Sequence, residues 1–377
     1  MRIKRPIPGT EKGLLTGRSR KLACTPRCGR FKKTWGILPL LLLLVPPALL
    51  VGQERGHAPE RILFGSCLDP RKPHPVLSTV AGMGPDMFIF LGDNVYADTE
   101  NSRTMARRYR ELAESPRFQA LLSVCTVMAV WDDHDYGKND AGAGFPAKEM
   151  SRELFLDFWQ VPGNSPRRDH KGVYHAALLG PPERLVQIIL LDTRYFRSPL
   201  KRGSPSTPAN GPYIPLTGPE VTLLGEEQWL WLEEQLRVPA RLRIIASSIQ
   251  VLTEHHGWES WANFPGERNR LLNLLKRTGA EGVLFISGDR HFGELSVLEQ
   301  DDFYALHDLT SSGLNRRFPA RRPNENRYRE GDYYLYENFG MIAVDWDAPD
   351  PVLTLGLFDA EGNEVLRREL RLSALSR

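Results

Sequence analysis

Short runs of consecutive apolar residues recur along this chain, and several of them stop at a polar residue beside a glycine or a tryptophan. "RILFG" (61–65), "MFIFLG" (87–92), "VMAVW" (127–131), "LVQIILL" (185–191), "RIIASSIQVL" (243–252) and "VLFISG" (283–288) are rich in Val and Ile. At this length and composition they predict strands, and their unbroken apolar character predicts cover on both faces. "YALHDLTSS" (304–312), "MIAVDW" (341–346) and "VLTLGLF" (352–358) alternate instead, and "DAEGNEV" (359–365) supplies a hairpin turn near the C-terminus. Between these runs, "SRTMARRYRELAES" (102–115), "KEMSRELFLDFWQ" (148–160), "GEEQWLWLEEQL" (225–236) and "RNRLLNLLKRTG" (268–279) carry the helical period, the last ended by Gly279. Residues 198–220, dense in Pro, Gly and Ser, predict a surface loop. Continuous strands first and alternating ones later predict a layered α/β body with two packed sheets, not one doubly wound sheet.

Composition adds that the chain can bury a large core: 377 residues, 41% apolar and 25% charged. The formal net charge of +3 is misleading, because residues 1–51 hold eleven Lys and Arg and one acid, leaving 38 bases against 45 acids elsewhere. The body is therefore acidic, and no nucleic-acid binding is expected of it. The basic flank runs into an apolar stretch from Trp35 to Val51 containing Pro46 and Pro47, short for a membrane span and without paired arginines before it. It predicts a secretory signal, or an uncleaved membrane anchor, over a basic segment 1–58, with a catalytic domain at 59–377. The expected location is secreted, periplasmic or cell-envelope. Cys24 and Cys28 fall in that segment, which leaves Cys67 and Cys125 as a potential disulfide in the body.

Candidate chemistry sits at four strand ends. "ILFGSCLDP" brings Cys67 and Asp69; "FIFLGDNVYAD" brings Asp93 and Tyr96; "MAVWDDHDYGKND" brings Asp132, Asp133, His134, Asp135 and Asn139; "LFISGDRHFGE" brings Asp289 and His291. Loops after the carboxyl ends of neighbouring strands converge on one crevice. So many ionisable groups together call for a compensating cation. Carboxylate and phenolate donors suit a hard cation, while imidazole and thiolate extend the choice to transition metals. With Asp93 placed to bridge, a two-metal site is expected, and phosphoester hydrolysis by a metal-bound hydroxide is the reaction that suits it.

Gly-Asp-x-x-Tyr (92–96), Trp-Asp-Asp-His-Asp (131–135) and Gly-Asp-x-His (288–291), in this order, resemble the alkaline phosphatase D (PhoD-like) family of the metallophosphoesterase superfamily. "FGSC" (64–67), "LLDTRYFR" (190–197), "LLGEEQWLWLEEQL" (223–236) and "TSSG" (310–313) extend the likeness from Arg61 to Asn315. The resemblance implies a four-layer α/β/β/α sandwich of two packed mixed sheets. It implies that Cys67, Asp93 and Tyr96 bind a ferric ion. Asp133, Asn139, Asp289 and His291 are then candidates to complete the site and hold a divalent ion, Ca²⁺ in the family's best-known branch, with Mn²⁺ or Zn²⁺ as alternatives. Between Asp132 and Asp133, direct precedence to the histidine favours Asp133.

On this reading His134 protonates the leaving oxygen or stabilises charge on the phosphoryl group, and Arg290 with Arg194 or Arg197 clamps phosphate oxygens. The expected substrate is a small phosphate ester, with a monoester favoured. A phosphodiesterase or phospholipase D-like hydrolase is the alternative enzyme, and a non-catalytic, metal-braced extracellular protein the alternative of another class. No protein partner is implied.

Overall fold

In the computed structural model, residues 56–204, 211–254, 257–317 and 325–377 are described. The expected export signal or anchor at 35–51, and Cys24 and Cys28, lie outside them. Along the chain, β1 (Arg61–Gly65), α1 (Val76–Gly82), β2 (Met87–Leu91), α2 (Ser102–Ala113), α3 (Pro116–Leu122) and β3 (Thr126–Val130) come first. The short α4 (Asp133–Tyr136), α5 (Lys148–Phe158), β4 (His175–Leu179), β5 (Val186–Leu190) and the two-residue strands β6 (Lys201–Arg202) and β7 (Tyr213–Ile214) follow. Then come α6 (Gly225–Arg237), β8 (Leu242–Ser247), α7 (Pro265–Thr278), β9 (Val283–Ser287), β10 (Gly293–Gln300) and β11 (Phe303–Ser311). β12 (Arg329–Tyr334), β13 (Asn338–Asp345), β14 (Val352–Asp359) and β15 (Glu364–Arg371) complete the order.

Two mixed sheets form the body. One has the order β15-β14-β13-β1-β2-β3, the other β12-β10-β11-β9-β8-β5-β4. β1, β2 and β3 are parallel, as are β5, β8, β9 and β11, while the later strands join antiparallel. The sheets meet through β11 and β10 against β13. Helices α1 to α5 and α6 with α7 supply the outer layers, giving the α/β/β/α sandwich. Every residue of β2, β5 and β9 is buried, which is why their sequences carry no alternation.

Helix boundaries follow local chemistry. The Asn101 side chain accepts the Thr104 amide and starts α2, and Gly279 ends α7 in the left-handed region at φ 63°. The run at 243–252 stops being a strand at Ser247, whose hydroxyl turns back to the Ile249 carbonyl at 2.6 Å. The loop expected at 198–220 includes the small β6–β7 hairpin. β4, β10, β12, α1, α3 and α4 were not marked by periodicity; α4 is one turn long, and β12 carries no aliphatic residue. Among the described residues, no helix is long and apolar enough to cross a membrane.

Candidate metal centre

The four strand ends converge. Leu68 N–H donates to the Asp93 carbonyl and Cys67 N–H to that of Gly92, tying the loop after β1 to the loop after β2. Gly313 and Leu314, after β11, both donate to the Ser66 carbonyl. Turning so sharply at a strand end strains the backbone. Among the described residues, seven that are not glycine have positive φ: Cys67, Asp93, Asp98, Asp140, Gln160, Asp289 and His291. All but Gln160 belong to this region, and strain of this kind persists where the surroundings enforce it. Gly92 packs closely against the loop after β3: a Cβ there would lie 2.5 Å from Asp132 Cβ.

Three groups of donor atoms form a chain by sharing members. Cys67, Asp93 and His291 make the first; Asp93, Asp133 and His134 the second; Asp133, Asp140 and Glu259 the third, with ligand atoms within 4.8 Å of one another in each. The Cys67 thiol donates to Asp93 Oδ2 at 3.6 Å and lies 3.2 Å from Ser312 Oγ. The Tyr96 hydroxyl is 3.3 Å from His291 Nε2. The His134 amide donates to Asp93 Oδ1 at 3.2 Å, and its Nδ1 is 2.7 Å from Asp98, which leaves Nε2 to face Asp133 Oδ1 at 4.0 Å.

The electrostatics suit a cation. Burial pushes the Cys67 thiol well up, and Asp93 adds to the rise. Burial, eased by His134 and reinforced by Asp133, raises Asp93 to about 6. Burial also raises the Tyr96 phenol. Burial pulls His134 down, but Asp93, Asp98 and Asp133 outweigh it and carry it to about 10. Burial, with Arg316 and Arg290 nearby, lowers His291 to about 3, so it presents a neutral imidazole. Asp133 Oδ1 is buried with no protein hydrogen-bond partner. An unpaired buried carboxylate oxygen, a neutral imidazole and a thiol crowded by carboxylates fit a metal, whose charge would offset the burial that now holds the thiol protonated and raises Asp93.

Neighbouring acids have other duties. Asp135 accepts from the amides of Asp93, Asn94 and Asp132, bracing two loops at once. Asp132 Oδ1 accepts from Arg194 at 2.6 Å and from Ser248 at 2.5 Å. Arg194, wholly buried, also holds Glu259 Oε2 at 2.6 Å, and Arg197 holds Glu259 Oε1 at 2.9 Å. Of the three arginines expected at phosphate, Arg194 and Arg197 are thus paired with carboxylates. Arg290 is buried too, 3.9 Å from Asp289, with Nε and Nη2 lacking acceptors. Asp289 is partly buried beside it, within electrostatic reach of Asp133. Asn139 stands exposed at the rim, its amide on Asp98; Asp140, one residue on, is the one that enters the third donor group. Cys67 and Cys125 are both free thiols. Sequence reasoning missed Asp98, Asp140 and Glu259; nothing in a loop acid's local sequence marks it as a donor.

A search among curated proteins finds no sequence match. The profile of the PhoD-like phosphatases matches residues 70–315, well over half of the chain. This chain belongs to the PhoD-like phosphatase family. Among solved structures it is similar to PhoD, with a TM-score of 0.61 and 17% identity over 84% of this chain and 73% of that one. It is also similar to a dimetal phosphatase from Danio rerio, with a TM-score of 0.50 and 15% identity, covering 84% of this chain and 100% of that one. GAP50, described as the anchor in the inner membrane complex of Plasmodium, shares the fold at a TM-score of 0.51 and 12% identity, over 83% and 89% of the two chains. As a PhoD-like phosphatase, the protein is a metal-dependent phosphoric ester hydrolase.

Proposed function

We propose that this PhoD-like phosphatase is an extracytoplasmic phosphomonoesterase working at a two-metal site, Fe³⁺ with a divalent ion such as Ca²⁺. The observation that carries the two-metal reading is the sharing of Asp93 between the Cys67–His291 and Asp133–His134 groups. Cys67, Asp93, Tyr96 and His291 would hold the ferric ion; Asp93, Asp133 and Asp289 would hold the divalent one, with Asn139 at the rim beside them. Bound there, the metals supply a lowered pKa for water and charge neutralisation at the phosphoryl oxygens. The chain's own residues do the rest. Asp98 fixes Nδ1 of His134, so that Nε2 points at the donor cluster and can deliver its proton to the leaving oxygen. Arg290, with two donors unclaimed by protein, is assigned to the phosphoryl oxygens; Arg194 and Arg197 hold the floor through Asp132 and Glu259. The basic flank and apolar run at 35–51 support export or N-terminal anchoring.

A phosphodiester is the second reading, favoured by cavities at both ends of the donor chain. One, of about 770 Å³, includes His291; the other, of about 470 Å³, includes Asn139, Asp140 and Tyr213. Together they would admit an ester arm on each side. A purely structural role, as an anchoring neighbour of the same fold suggests, leaves the oriented His134 unexplained.

The test pairs p-nitrophenyl phosphate with bis-p-nitrophenyl phosphate on purified protein whose metals have been analysed. Faster hydrolysis of the monoester, with iron present and a broad visible band that weakens strongly in Tyr96→Phe, supports the proposal. Faster hydrolysis of the diester selects the second reading. Hydrolysis of neither substrate by the metal-loaded protein overturns the enzyme reading, and a colourless, iron-free, fully active protein removes iron from it.

A further inference from the structure

The larger cavity matches the smaller in charged lining, three cations and two carboxylates each, and differs in reaching His291. Its wall begins at His291 and carries three cations, Lys72, Arg316 and Arg317, with Leu314 and Val76 as apolar cover. Two loops build it, and they are clamped together: the Asp69 amide donates to Asn315 Oδ1 at 2.7 Å, and Asn315 Nδ2 donates to the Asp69 carbonyl at 2.7 Å. The spacing between Lys72 and Arg316 is therefore a fixed property of the fold rather than of two wandering loops.

Arg316 connects the groove to the donor cluster. Its guanidinium lies over the Tyr96 ring, 3.9 Å from the centroid, and its Nη1 is 3.4 Å from Asp69 Oδ2, a carboxylate already shared with Arg71. Lys72 and Arg317 are exposed, and neither has a carboxylate at ion-pair distance among the described residues. Two cations without a carboxylate partner among the described residues, and one half-paired one, line a cavity that opens on a proposed metal ligand. Two carboxylates, Glu337 and Glu361, lie in the same wall. Such an arrangement attracts an anion and orients it relative to the reacting phosphorus.

We infer that the groove of Lys72, Arg316 and Arg317 is a subsite for a second anionic group on the substrate, so that the enzyme prefers phosphate esters carrying another phosphate or carboxylate on the organic arm. The inference rests on the phosphoesterase reading and adds the chemical class of its substrate. A leaving arm that exits past His291 meets these side chains first. The preference acts through charge, so it weakens as salt rises.

The experiment compares propane-1,3-diol bisphosphate with propyl phosphate as substrates of the metal-loaded protein, reading released phosphate. A lower KM for the bisphosphate is expected, with the ratio of kcat/KM between the two substrates falling about two- to fivefold in Lys72→Ala and again in Arg317→Ala, the range of exposed ion pairs. Glu361→Gln should move the ratio the opposite way, and 0.5 M NaCl should flatten it. Both variants lie at exposed positions and change no packed side chain. Hydrolysis of both substrates with equal KM, or a ratio indifferent to Lys72→Ala and Arg317→Ala, overturns the subsite while leaving the phosphoesterase intact. Hydrolysis of neither overturns the enzyme reading itself. Competitive inhibition by free inorganic phosphate that is unchanged in the double variant would place free phosphate at the metals and reserve the groove for the substrate's own second charge; inhibition lost in the double variant with an unaltered substrate ratio would make it a free-anion site and overturn the substrate assignment.

Discussion

His134 is held from two directions, its backbone N–H on Asp93 and its ring on Asp98, and this double anchorage separates its chemistry from its position. His134→Ala is expected to keep the bound metals and lose roughly 10²- to 10⁴-fold in kcat, the span of a general acid. If Asp98 acts through His134, Asp98→Ala added to His134→Ala costs nothing further, because the residue it orients is already gone. Metal analysis alongside the rates decides the matter: metal lost together with activity would make His134 a ligand. Legibility at this scale followed residue type. Cys67, Asp93, Asp133 and His291 could be singled out because each stands at the end of an apolar run, where a polar side chain has a reason to be. Asp140 and Glu259 could not, since a carboxylate in an irregular loop reads the same whether solvated or buried. In "GKNDAG" the choice between Asn139 and Asp140 turns on which side chain the loop faces inward, and no periodicity records that.

At the level of elements, the centre depends on loops that turn within one or two residues of a strand, and Gly92 is where β2 hands over to Asp93. Its φ of 98° and its approach to Asp132 leave no room for a side chain: a Cβ would lie 2.5 Å from Asp132 Cβ and 2.6 Å from the Asp132 amide nitrogen. Gly92→Ala should therefore destabilise the fold by about 2 kcal/mol or more, from overpacking and an unfavourable backbone region together, and displace Asp93 from its neighbours. Gly163→Ala, where nothing lies within 4 Å, should stay within about 0.5 kcal/mol of the parent. Equal denaturant midpoints for the two variants would contradict the account of the turn. The parallel strands around such turns were readable because burial on both faces leaves an unbroken apolar run. β10 and β12 were not, because β12 is an edge strand whose residues are exposed or half-buried, and the pairing that makes it a strand is with β10, far away in sequence.

For the molecule as a whole, the interface between the sheets is where a buried charge would do most harm, and His307 tests it. It lies on β11, paired to Leu284 of β9 and Val297 of β10, and its Nδ1 is buried without a hydrogen-bond partner. Burial first, and repulsion from Arg368 on β15 second, lower it to about 4. In the unfolded chain the same imidazole takes a proton near 6.5. Between those values the unfolded state binds the proton and the native state does not, so acid favours unfolding. The stability linked to this group is complete above pH 6.5 and declines as the pH falls towards 4, by about 3 kcal/mol at most for the 2.5-unit gap. In His307→Gln that component should vanish. Denaturant midpoints of metal-loaded protein measured from pH 7.5 to 4 should fall less steeply in the variant, by up to one proton in the slope. Ligand carboxylates add their own acid sensitivity, but equally in both proteins, so the difference isolates His307. Identical slopes would mean that the sheets part enough to hydrate the ring, and that the two-sheet core is softer at β11 than its burial implies.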